Sequence, residues 1–153
     1  MKALSFASLS YESKKKKTRR EQFLEEMDQV IPWETILKII SPYYPKAGNG
    51  RRPMTLEVML RIYFMQQWYG LSDPAMEDAL YDIESMRRFA GLDLQMDAIP
   101  DETTILHFRH LLEKHKLTEK LFEQTHRYLT DKGMMVREGT IVDATILNAP
   151  SST

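Results

Sequence analysis

The 153-residue chain has no cysteine. That excludes a disulfide framework and any cysteine-ligated zinc site, and it fits a reducing cytoplasm. A long apolar run is also missing. The greasiest stretch, Met54 to Tyr69, is interrupted by Glu57, Arg61, Gln66 and Gln67, which argues against a membrane span. No signal-peptide pattern is present near the start, because the basic run "KKKKTRR" leads into "EQFLEEM" rather than an apolar segment. An excess of one charge is lacking too. Lys and Arg number 21 against 22 Asp and Glu, a net charge of -1, so the overall balance is silent on nucleic acid. The loop "GNGRRP" lacks the spacing of a phosphate-cradling P-loop, and what precedes it reads as helix, not strand.

What is present is the profile of a soluble globular protein, 42% hydrophobic and 28% charged, long enough for one domain with a real core. Residues 1–20 carry few core-formers and a basic cluster, Lys14, Lys15, Lys16, Lys17, Arg19 and Arg20, and read as a flexible basic arm. Residues 21–133 read as helical. Phe23, Leu24, Met27 and Val30 have helical spacing, as do Trp33, Ile36, Leu37 and Ile40 after Pro32. "PKAGNGRRP" is a loop by turn chemistry and holds a second basic group, Lys46, Arg51 and Arg52.

Thr55 can N-cap a helix running to Tyr69 with Gly70 as its stop. That helix is apolar nearly all round, which places it at the centre. Asp73 before Pro74 predicts another start, with Met76, Ala79, Leu80 and Ile83 on one face. A short helix follows over Ser85 to Ala90, closed by Gly91. Asp101 predicts the next cap, with Ile105, Phe108 and Leu112 buried, and Thr118 the last, with Leu117 stapled onto Phe122. After Gly139 the period changes, and "TIVDATIL" reads as a strand. The expected fold is therefore mainly α, a multi-helix DNA-binding-type domain with helix-turn-helix-like elements, followed by one strand over 139–153 that lacks a visible ladder partner.

Two constellations carry chemistry. On the Asp101-capped helix, Thr103, His107, His110 and Lys114 fall on one stripe, opposite the apolar residues, with Thr104 and Arg109 beside it. Such side chains hydrogen-bond bases or phosphates. The same pattern also describes a solvated helix face. His107 and His110 have the spacing of a metal pair, but nothing near them completes a ligand set. The basic arm can track phosphates or be a solvated tail. The second constellation is Asp143, an acid within an apolar strand. A carboxylate there can ligate Mg²⁺, and two such ions can drive phosphoryl transfer. One Asp cannot hold that pair, and a polar strand end is the plainer reading.

Three long stretches in fixed order, "SPYYPKAGNGRRPMTLEVMLRIYFMQQWYGLSDPAMEDALYDIESMRRFAGL", "IPDETTILHFRHLLEKH" and "GTIVDATILNAPSST", resemble transposases of the insertion-sequence family five, a member of the DDE class. The resemblance covers the chain from about Phe6. It implies a helical DNA-binding region joined to an RNase H-like catalytic domain, with Asp143, in its "VDAT" context, as the first metal ligand. The family's second Asp and its Glu fall beyond residue 153, so the resemblance implies a fragment cut just after the first catalytic Asp. Mg²⁺ belongs to the intact enzyme and is not expected on this chain. The implied partner is terminal inverted-repeat DNA, with a second copy or the full-length transposase as a further partner, in the bacterial cytoplasm at the nucleoid. Two rival expectations stand beside it: a regulatory fragment that inhibits transposition, and a non-functional helical remnant that self-associates through Ile141, Val142 and Ile146.

Overall fold

The computed structural model describes residues 6–46, 48, 53–131, 136–137 and 140–141, and among them the protein is mainly helical. The fold is built around the helix that the sequence placed at its centre. Helix α4, Leu56–Tyr69, buries Met59, Leu60, Ile62, Tyr63, Phe64, Met65, Gln66 and Tyr69, so it faces core on nearly every side. Around it lie α1 (Phe6–Ser13), α2 (Arg19–Val30), α3 (Trp33–Ile40), α5 (Asp73–Asp82), α6 (Glu84–Ala90), α7 (Glu102–Lys114) and α8 (Leu117–Asp131), with a 3₁₀ turn at Ser41–Tyr43. Aromatic rings stitch these helices together, mostly edge to face. Phe64 meets Trp33, Trp68 and Phe122, while Tyr63 meets Phe108 and Phe122. Edge-to-face pairs add to what area burial alone supplies.

Helix ends explain where the chain turns. Gly70 and Gly91 close α4 and α6 at φ values of 60° and 84°, a left-handed conformation that glycine adopts without a Cβ penalty. Asp101 caps α7 as expected, its carboxylate accepting from the Thr104 amide. Five expectations need correction. The segment expected to be a flexible arm contains α1, held by Arg88, which pairs with Glu12 at 3.0 Å and lies 4.5 Å from the Tyr11 ring centroid. Its long-range partner is 76 residues away in sequence, so local composition could not announce it. Helix α2 starts at Arg19 because Thr18 and Glu21 form a reciprocal capping box, which puts Arg19 and Arg20 inside the helix.

Ser72, not Asp73, caps α5 and accepts from the Ala75 amide. That leaves the Asp73 carboxylate for other partners. Thr118 does not cap α8, which begins at Leu117. The chain turns instead at Lys116, the one non-glycine residue with positive φ among those described, at 55°. Leu117 is fully buried, and Phe122 packs against the same core.

At the far end, Thr140–Ile141 is extended and pairs antiparallel with Val136–Arg137, so this part of the expected strand does have a ladder partner. The remainder of that strand, including Asp143, lies outside the described residues, as do Gly133, Arg51 and Arg52.

Candidate nucleic-acid interface

The site grows from α7. Ile105, Phe108 and Leu112 sit in the core, so helical geometry turns the opposite stripe outward. Thr103, His107, His110 and Lys114 are all exposed, and Thr104 is half-buried at the edge. The stripe is therefore available to a partner along its whole length.

Arg109 is different. Its Nε and Nη2 donate to the two Asp73 oxygens at 2.9 and 2.7 Å, and its Nη1 lies 3.6 Å from Glu113. Gln66, buried on α4, donates to the same Asp73 oxygen at 2.6 Å. The hydrogen bonds from Arg109 hold Asp73 below the ordinary carboxylate range, against its partial burial, and Asp73 in turn raises Arg109. A forked guanidinium–carboxylate pair fixes orientation as well as charge. Arg109, expected beside the DNA-facing stripe, instead ties α7 to α5 and α4. Freeing Asp73 from the capping role makes this tie possible.

The basic run is also partly engaged. Lys14 pairs with Glu21, and Lys17 with Glu25 at 2.7 Å. Burial works against ionised Glu21. Hydrogen bonds from Lys14, the Thr18 amide and Tyr11 outweigh it and lower the Glu21 pKa. Arg20 lies over the Tyr69 ring at 5.2 Å. Lys15, Lys16 and Arg19 are exposed and form no ion pair with the described residues.

A further basic group was scattered in the sequence. The Tyr43 and His115 rings lie against each other, tilted by 32°, with centroids 4.5 Å apart. This contact brings the 3₁₀ turn to the C-terminal end of α7. Lys46, three residues beyond Tyr43, is exposed, as are Lys114 and Lys116. No sequence signal links Tyr43 to His115, because the link is a ring contact between distant segments. Among the described residues no group of three His, Asp or Glu side chains is placed to hold a metal ion, and His107 with His110 gains no third ligand there. Asp143, the expected Mg²⁺ ligand, is outside the described residues.

These features define a helical module that presents one polar, partly cationic helix face. Residues 12–111 match the family model described as Transposase domain (DUF772), and the chain belongs to that family. No solved structure matches the chain. Among the described residues no helix is long and apolar enough to cross a membrane.

Proposed function

We propose that this transposase-family chain is a DNA-recognition module of the insertion-sequence-five, DDE type, which binds the terminal inverted repeats of its element in the bacterial cytoplasm. The observation that carries this reading is α7. One face is locked into the core and clamped through Arg109 to Asp73, while the opposite face holds Thr103, His107, His110 and Lys114 open to solvent. A rigidly held helix with a free polar stripe suits readout of base edges and phosphates. Lys15 and Lys16, just before α2, and Arg19 at its start would add phosphate contacts, with Arg51 and Arg52, which precede α4 in the sequence, as further candidates.

Catalysis in this reading belongs to a separate RNase H-like domain, in which Asp143 would be one Mg²⁺ ligand among several carboxylates. The bound ion would activate water and stabilise the leaving oxygen. Helical residues 19–131 would position the repeat and take no part in bond breaking. A second copy or a full-length transposase would be the protein partner.

The test is a salt titration of the chain with a labelled terminal-repeat duplex against a scrambled duplex of equal length. Tighter binding to the repeat, falling steeply with salt, is the expected result. Equal affinity for both duplexes would overturn repeat recognition.

A further inference from the structure

The two ends of α7 differ in charge. At its N-terminal end the Glu77 carboxylate accepts from the Glu102 amide at 2.6 Å, and the Asp101 carboxylate accepts from the Thr104 amide at 2.8 Å. The open amides of a first helical turn are what make a helix start attractive to phosphate. Here two of them are occupied by carboxylates, and the exposed Glu102 adds a third acid. A phosphate approaching this end meets negative charge and few free donors.

The C-terminal end is the reverse. Lys114 closes α7, Lys116 forms the left-handed turn into α8, and the Tyr43–His115 ring contact ties the 3₁₀ turn, three residues before Lys46, to this same end of α7. Three residues of chain span at most about 10 Å, which bounds how far Lys46 lies from Tyr43. Lys46, Lys114 and Lys116 are exposed and form no ion pair with the described residues. The acids nearby in sequence are Glu113, which faces Arg109, and Glu119 on the first turn of α8. Lys114 also offsets the negative end of the α7 dipole. Its exposure leaves it able to meet a phosphate as well.

We propose that α7 meets duplex DNA through its C-terminal end, with the α7–α8 turn and Lys46 gripping backbone phosphates, and not through its first turn as in the usual helix-turn-helix arrangement. This rests on the DNA-binding reading above and adds its polarity. His110 and Lys114 then lie next to the bases or phosphates, while Thr103 and Thr104 lie at the far, acid-bearing end.

The experiment measures affinity of the full chain for the repeat and scrambled duplexes across a salt series. The variants are Lys46→Gln/Lys114→Gln/Lys116→Gln and, as a cation control further along α8, Arg127→Gln, which loses only its pairing with Glu123, with far-UV circular dichroism to confirm the fold. The lysine triple should lower the slope of log affinity against log salt by about 2–3 on both duplexes, since each lost phosphate contact removes about 0.9. The Arg127 variant should leave the slope unchanged. Glu119→Lys, one turn from Lys116, should raise it. A lysine triple with wild-type slope, or an equal fall in slope for Arg127→Gln alone, overturns the proposal while repeat preference can stand. A slope that falls equally on two duplexes bound with equal affinity supports this polarity and sinks repeat recognition alone. Absence of binding to either duplex at low salt sinks both.

Discussion

The chain has two kinds of cationic region, and they have opposite fates. The dense run at Lys14–Arg20 is the feature a reader of the sequence notices first, yet much of its charge is engaged inside the molecule. Lys14 and Lys17 are paired with Glu21 and Glu25, and Arg20 lies against Tyr69. Lys46, Lys114 and Lys116 are scattered in sequence, and their charges are exposed. The same division runs through the arginines. Arg61 on α4 pairs with Asp28 and Glu57, donates to the Phe89 carbonyl, and sits 4.3 and 4.9 Å from the Trp33 and Phe89 rings. Buried Arg87 donates to the Leu80 and Tyr81 carbonyls at 2.9 Å and so closes the end of α5. Charge density along a sequence is thus not free charge on a surface. What decides is whether folding brings a carboxylate, a carbonyl or an aromatic ring within reach.

This contrast can be broken or sharpened by substitution. Arg61→Ala should have the largest effect, a loss of about 3–4 kcal/mol in denaturant unfolding, because it removes ring contacts, ion pairs and packing among four helices. A loss under about 1 kcal/mol would show that Arg61 is ornamental to the core. Arg87→Met should cost about 2–3 kcal/mol, since it leaves the buried Leu80 carbonyl and the half-buried Tyr81 carbonyl without their donor. Its expected signature is a lower midpoint with an unchanged denaturant slope.

Asp73→Asn should cost about 1–2 kcal/mol at neutral pH and change the acid limb of the stability profile. The sign follows from the depressed carboxyl of Asp73, whose main cause is the hydrogen bonding from Arg109. Stability from such a group is full above its unfolded pKa, about 4, and is lost as pH falls through the lower folded value. The Asn variant should therefore lose less stability than wild type on going below about pH 4. Parallel profiles would mean that the pair is not coupled to folding.

The smallest effect concerns the basic run itself. Lys15→Gln/Lys16→Gln should reduce the salt dependence of DNA binding more than Lys14→Gln/Lys17→Gln. Equal reductions would show that Glu21 and Glu25 release their partners to DNA.

Much of the helical plan was legible because its causes are local. Apolar spacing marked the faces of α2, α3, α5 and α7, Gly70 and Gly91 marked stops, and Asp101 marked a start. The misreadings have a common origin in choices between local partners. Both Ser72 and Asp73 are competent caps; Ser72 serves, while Asp73 is engaged by Arg109, 36 residues away in sequence. Helix α1 was hidden because the residue that holds it, Arg88, is more remote still, 76 residues from Glu12. The stripe Thr103–His107–His110–Lys114 was legible as a face. That Arg109 would be withdrawn from it was not, because a guanidinium reads the same in sequence whether it awaits a phosphate or a carboxylate.

The sequence by itself determined the helical class, the central position of α4, the core face of α7 and, through long segments in fixed order, the kinship with transposases. Each follows from periodicity, turn chemistry or extended similarity, which are properties of neighbouring residues. Tertiary structure alone decided which cations face inward and which outward. The physical reason is that a charged side chain is neutralised by whatever lies within a few ångströms in space, and for Arg61, Arg88, Arg109 and the Tyr43–His115 corner those neighbours come from distant parts of the chain.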